Sequence, residues 1–102
     1  MTQLFLTLAD AEACAAFVLP WIDEAIEMSG NRKLWRRKLE LIRDRLALCV
    51  DSYGTSDWID DEGGPYLKMF DALSYITQAA RSFEFDAQAV NAARDLLVSV
   101  AR

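Results

Sequence analysis

The residues best suited to chemistry stand around one acidic and aromatic connection in the second half of the chain. Its carboxylates and large apolar side chains are Tyr53, Asp57, Trp58, Ile59, Asp60, Asp61, Glu62 and Tyr66. Carboxylate oxygens bind hard cations such as Ca²⁺, but the alternating acids, central glycine and final glutamate of a calcium-binding loop are missing. Paired carboxylates also hydrolyse glycosides, but a loop without an evident cleft does not favour that reaction. We therefore expect neither a metal site nor a catalytic pair here.

The same residues are well suited to recognition of another protein. Aromatic side chains surrounded by charge are typical anchors of protein interfaces, and carboxylates complement a basic surface. We call Asp57–Glu62 the acidic segment and expect it, together with Tyr53 and Tyr66, to bind a protein partner with a basic surface. A second interpretation stays open, in which Trp58 and Ile59 cover the end of the fold and the carboxylates stay solvated. A helix face could then be the interface instead.

The chain contains no histidine, which restricts its chemistry more than any other feature. Histidine is the commonest general acid–base group and metal ligand, so Ser-His-Asp catalysis, Cys-His catalysis and histidine-containing zinc sites are excluded. Cys14 and Cys49 lie in apolar helical stripes and are expected to be inert, reduced core thiols of a cytoplasmic protein. A bridge between them is the alternative. We expect no enzymatic activity and no cofactor.

The charge of the chain argues against nucleic acid and membrane partners. The formal net charge is −5, which repels phosphate groups and anionic lipids. No apolar run reaches the ~18 residues that a membrane span requires. The basic run Arg32–Arg45 is interrupted by Glu40 and Asp44, which favours a solvated helix face. That face could also pair, within the fold or across a homodimer, with the acids of the first helix, which are Asp23, Glu24 and Glu27.

Four amphipathic helices account for most of the chain. Apolar residues recur at alternating steps of three and four from Cys14 to Ile26, and similar stripes follow in three later stretches. The residues expected to point inward are Cys14, Phe17, Val18, Trp21, Ile22, Ala25 and Ile26, then Leu34, Trp35, Leu39, Leu41, Ile42, Leu46, Cys49 and Val50, then Tyr66, Met69, Phe70, Leu73, Ile76, Thr77 and Ala80, and finally Val90, Ala93, Leu96, Leu97 and Val100.

Local signals mark where these helices begin. Asn31 and Asp86 are suited to cap the second and fourth helices, and Pro65 fits the first position of the third. Pro20 interrupts the first stripe, so the first helix either continues with a kink or breaks in two. Four helices that each bury one face predict an all-α, antiparallel four-helix bundle, formed as one domain by residues 1–102.

Three stretches resemble a known family. Trp21–Ile26, Lys38–Arg43 and Asp61–Leu67, followed by Tyr75, are similar to small helical immunity proteins of bacterial type VI secretion systems. Those proteins neutralise NAD(P)-degrading effectors. The chain departs from their pattern before Asp61, and its helix after Asp86 is additional, so interface residues are not transferred beyond the acidic segment. The resemblance implies a cytosolic protein that plugs the active site of a toxin.

The leading expectation is therefore a stoichiometric protein-binding inhibitor, an immunity protein that neutralises a bacterial toxin. One alternative is a structural or regulatory helical module, which would form a homodimer or serve as a subunit of a complex. A further alternative is a phage-type inhibitor of a bacterial defence complex, because an acidic bundle can imitate nucleic acid in a basic channel. The basic second helix argues against a uniformly acidic mimic.

Overall fold

A computed structural model describes residues 8–53 and 64–101, with side chains for 11–51 and 64–101. It contains helices α1 (Leu8–Glu27), α2 (Arg32–Tyr53), α3 (Pro65–Arg81) and α4 (Ala87–Val100). Within those ranges the structure has no strand. The predicted all-α fold class is confirmed.

The helices form a four-cornered bundle in which chain neighbours pack side by side. α2 and α4 each lie between α1 and α3, which face each other across the diagonal. Lys38, near the start of α2, pairs with Glu24 near the end of α1, so these two helices are antiparallel. Arg36 donates a hydrogen bond to the carbonyl oxygen of Ala80 at 3.1 Å, which makes α2 and α3 antiparallel as well. One end of the bundle therefore holds the α1–α2 and α3–α4 connections, and the opposite end holds the last turn of α2 and the first turn of α3.

The helices begin where side-chain chemistry predicts. The Asn31 side-chain oxygen accepts from the amide of Leu34 at 3.3 Å, and the Asp86 carboxylate accepts from the amide of Ala89 at 3.0 Å. Pro65 is the first residue of α3. α1 passes through Pro20 without a break, so of the two interpretations the continuous helix is correct. The carbonyl of Ala16 loses its amide donor there, but Ala16 is exposed and water can reach it.

The core is built from one buried row on each helix. The predicted inward residues of α2 and α4 are buried, except that Leu34 and Leu41 are exposed and Leu96 is partly buried. The largest buried side chain is Trp35, whose ring meets that of Phe85 edge-on at 5.5 Å. The buried residues are Ala11, Ala15, Val18, Ile22, Ala25, Trp35, Leu39, Ile42, Leu46, Cys49, Val50, Met69, Ala72, Ile76, Ala79, Ala80, Ala89, Val90, Ala93, Leu97 and Val100.

The prediction was wrong for several large apolar residues. Phe17, Leu34, Leu41 and Phe70 were expected to face the core, but each is about half exposed. On α3 the row that faces the core includes the small residues Ala72, Ala79 and Ala80, together with Met69 and Ile76. Small side chains let neighbouring helices approach closely, and the bulkier neighbouring row is then turned toward the surface.

None of the helices in the described ranges is long and apolar enough to cross a membrane.

Candidate protein-binding surface

A groove runs along α3 at the surface of the bundle. Its volume is about 610 Å³. Phe70 is 46% exposed there, although a phenylalanine ring is usually among the more buried side chains. The residues that line this α3 groove are Phe70, Leu73, Ser74, Thr77, Gln78, Arg81 and Ser82.

The side chains that line the α3 groove come from one helix, because helical periodicity places them on the same face. Phe70, Leu73, Thr77 and Arg81 follow each other at steps of three and four, so they share one face of α3. Tyr66 lies one turn before Phe70, and the two rings stack with centroids 6.3 Å apart and planes 28° from parallel. Tyr66 is itself partly buried against the core, so its ring continues the apolar floor toward the start of the helix.

The polar residues of the groove are partly held by the fold. The hydroxyl of Ser74 donates to the carbonyl of Phe70 at 3.1 Å. The side-chain amide of Gln78 donates to Asp86 at 3.2 Å, the same carboxylate that caps α4. Exposed Arg81 places a cation at the far end of the groove. This arrangement suits the burial of an apolar side chain from another molecule with a polar border around it.

The described residues include only part of the predicted partner-binding site. Tyr66 adjoins the α3 groove as described above. Tyr53 is the last residue of α2, at the same end of the bundle as the start of α3. The acidic segment, Asp57–Glu62, lies outside the described residues, so its role stays a prediction. The sequence analysis missed Phe70 as a surface residue and assigned it to the core, although it lies one turn after the predicted site residue Tyr66.

A second exposed apolar feature runs along α2. Leu34, Leu41 and Leu48 repeat at seven-residue intervals and are all substantially exposed, Leu48 to 66%. A heptad interval brings side chains back to nearly the same direction on a helix, so they form one leucine row. The row lies on the outer side of α2.

The basic run of α2 is engaged largely within the chain. The Lys38 ammonium lies 2.7 Å from the Glu24 carboxylate of α1. The Arg45 guanidinium stacks over the Phe17 ring at 4.7 Å, and Arg43 contacts its neighbour Asp44 at 3.2 Å. α1 also pairs with α4 through Asp23 and Arg94 at 2.9 Å. The basic face of α2 was expected either to be solvated or to pair with the acids of the first helix. In the structure it pairs with α1 within the fold.

The described residues contain no cluster of three or more histidine, cysteine or carboxylate side chains that could hold a metal. The fold and the surface thus describe a small helical bundle that presents an apolar groove. A comparison with protein-family models, with curated proteins and with solved structures found no match for the chain.

Proposed function

We propose that this chain is a stoichiometric protein-binding inhibitor of the immunity type, which acts in the cytoplasm and has no catalytic activity of its own. It binds a bacterial toxin through the α3 groove and the acidic segment, which precedes α3 in the sequence. The observation that carries the proposal is the exposed Phe70 ring in a groove of about 610 Å³. The resemblance of Asp61–Leu67 to type VI immunity proteins supports the class of partner.

The groove offers a favourable binding free energy. A buried aromatic side chain covers about 150–250 Å². With 46% of Phe70 exposed, roughly 70–110 Å² remains for a partner to cover. At about 25 cal/mol per Å², that contact contributes roughly 2 kcal/mol, or about 30-fold in Kd. Leu67, which is also exposed, lies next to Tyr66 and adds apolar area near the start of α3.

Charge favours a basic partner. The chain has a net charge of −5, and four carboxylates stand in the acidic segment shortly before α3 begins. Such a cluster attracts a basic surface and increases the rate of association. A toxin that binds nucleotides or polyanions needs a basic active site, so it would complement this surface.

The test begins with capture of partners from the native host lysate on the immobilised protein. Calorimetry with the identified partner should give a 1:1 complex, and the partner's toxic activity should fall as the complex forms. Phe70→Ala should weaken binding by about 10–30-fold. Tyr75→Ala is the matched control, because Tyr75 is 40% exposed on the same helix but does not line the groove. Equal affinity of both variants, with folds intact by circular dichroism, would overturn the groove assignment.

The acidic segment is tested separately. Replacing Trp58 with Ala and both Asp60 and Asp61 with Asn should weaken the same complex by at least about tenfold. An unchanged affinity with an intact fold would remove the segment from the interface and leave the α3 groove alone. A complex whose partner has no inhibited activity would overturn the inhibitor function itself.

The leucine row supports a second candidate, a structural module that associates through α2. Exposed leucines at heptad spacing are typical of helices that pair with other helices. Light scattering at micromolar concentration tests this candidate directly. A dimer that Leu41→Lys converts to a monomer would favour the module, and a monomeric wild type would exclude homodimerisation.

A further inference from the structure

The two cysteines, which the sequence presented as inert, lie next to each other in the fold. Cys14 is on α1 and Cys49 is near the end of α2, and the two thiol side chains are hydrogen-bonded across the helix interface. Cys49 is buried, whereas Cys14 is half-buried and opens into a small surface cavity of about 250 Å³. Ala13, Phe17 and Arg45 line the rest of that cavity.

We propose that Cys14 is an oxidation site for small hydroperoxides and that Cys49 is its resolving thiol. The cavity admits a peroxide to the Cys14 sulfur, and the Arg45 guanidinium beside it stabilises a thiolate and the departing oxygen anion. The partner thiol is already in contact, so the second step needs only a small movement of the two side chains. The site is independent of the protein-binding function proposed above.

The reaction balances in two steps. The Cys14 thiolate attacks one peroxide oxygen, the S–O bond forms as the O–O bond breaks, and the released alkoxide or hydroxide takes up a proton. The sulfur is oxidised by two electrons to a sulfenic acid, and the peroxide is reduced to an alcohol or water. Cys49 then attacks the Cys14 sulfur, its proton leaves with the hydroxyl group as water, and an S–S bond links α1 to α2.

The electrostatic surroundings favour Cys14 as the attacking thiol. The hydrogen bond from Cys49 lowers the pKa of Cys14, burial raises it, and the positive charge of Arg45 lowers it, with a net decrease from the usual value. A reactive cysteine is typically partly exposed and lies beside a cation, and Cys14 meets both conditions. Buried Cys49 is suited to the second step because it is shielded from direct oxidation.

The experiment treats the reduced full chain with equimolar hydrogen peroxide and measures intact mass after acid quenching. The expected product is a monomer that has lost two hydrogens, with a peptide map that joins Cys14 to Cys49, and it returns to the dithiol with dithiothreitol. The bridge closes a loop of about 35 residues, so the melting temperature should rise by about 10 °C or more. Accumulation of sulfinic acid without a bridge, or bridges between chains, would overturn the proposal.

Variants assign the order of the two thiols. Cys49→Ser should accumulate a sulfenic acid on Cys14 that dimedone traps, whereas Cys14→Ser should yield no adduct on Cys49. Arg45→Gln should slow the first step, and Arg43→Gln is its matched control because Arg43 contacts Asp44 and does not line the cavity. A sulfenic acid on Cys49 would contradict the assignment. If a cysteine variant fails to fold, the wild-type mass and peptide map still decide whether the bridge forms.

Discussion

Leu46 and Leu48 are the same residue type on the same helix, but the structure gives them opposite surroundings. Leu46 is 0% exposed, whereas Leu48 is 66% exposed. Leu46→Ala removes buried carbon atoms and leaves a cavity, which costs about 3–5 kcal/mol of unfolding free energy. Only a third of Leu48 is buried, so Leu48→Ala loses roughly 1 kcal/mol or less of burial, and alanine's higher helix propensity offsets part of that loss.

Urea unfolding monitored by far-ultraviolet circular dichroism measures both free energies. The midpoint should fall sharply for Leu46→Ala and little for Leu48→Ala, with the urea slope unchanged in each variant. In thermal unfolding, about 4–8 °C per kcal/mol predicts a loss of roughly 12 °C or more for Leu46→Ala and a few degrees for Leu48→Ala. Measurements at two protein concentrations complete the design.

Equal losses for the two variants would refute the reasoning, and the concentration series would identify the faulty step. If wild-type stability rises with protein concentration and the Leu48 variant loses that dependence, a second copy covers the leucine row. If the losses are equal and wild-type stability is independent of protein concentration, α2 does not face the core with the row that contains Leu46. The same experiment therefore tests the core and the alternative of a homodimeric module.

Two further predictions concern contacts that hold the helices in place. Asp86→Ala removes the α4 cap and the acceptor for Gln78, so it should cost about 1 kcal/mol in urea unfolding. Exposed Asp71→Ala should change stability by less than about 0.5 kcal/mol, and a comparable loss would remove the special role of Asp86. A double-mutant cycle on Lys38 and Glu24 should give a coupling free energy of roughly 0.5–1 kcal/mol. The coupling should fall at high salt, because neither side chain is fully buried. A salt-independent coupling would contradict this explanation.

The starts of α2, α3 and α4 could be read from the sequence because their causes are local, whereas α2 continues to Tyr53 and not only to Val50 as expected. Asn31 and Asp86 accept hydrogen bonds from amides three residues further along, and Pro65 needs only its own ring geometry. The core row of α2 was also predictable. Trp35, Leu39, Ile42 and Leu46 repeat at helical spacing and are all buried, whereas Leu34 and Leu41, which flank this row, were wrongly assigned to the core.

The orientation of α3 could not be read in the same way. Tyr66, Phe70, Leu73 and Thr77 form one helical row, and Met69, Ala72, Ile76 and Ala80 form a second row shifted by one residue. Both rows satisfy the helical period, so periodicity does not choose between them. The choice depends on which row fits closely against α2 and α4, and that information lies in other helices.

The cysteine pair shows a different limit. Arg45 stands one turn before Cys49 on α2, and this spacing was a usable signal in the sequence. However, the thiol whose pKa it lowers is Cys14, which belongs to another helix. Only the antiparallel pairing of α1 with α2 brings the start of one helix to the end of the other. A thiol environment that two helices form together therefore cannot be predicted from residue spacing along one of them.

The protein-binding groove and the thiol pair lie on different helices. An effect of thiol oxidation on partner affinity would therefore be informative. The thiols join α1 to α2, whereas the groove belongs to α3, which lies diagonally across the bundle from α1. However, Cys49 is on α2, which packs against α3, so oxidation can affect the groove through that contact as well as through the connection that follows α2. Tyr53 lies one turn after Cys49, at the end of α2 that leads to the acidic segment. Replacing Trp58, Asp60 and Asp61 together should abolish a change in partner affinity that acts through the acidic segment, whereas Phe70→Ala should abolish one that acts through the packing of α2 against α3.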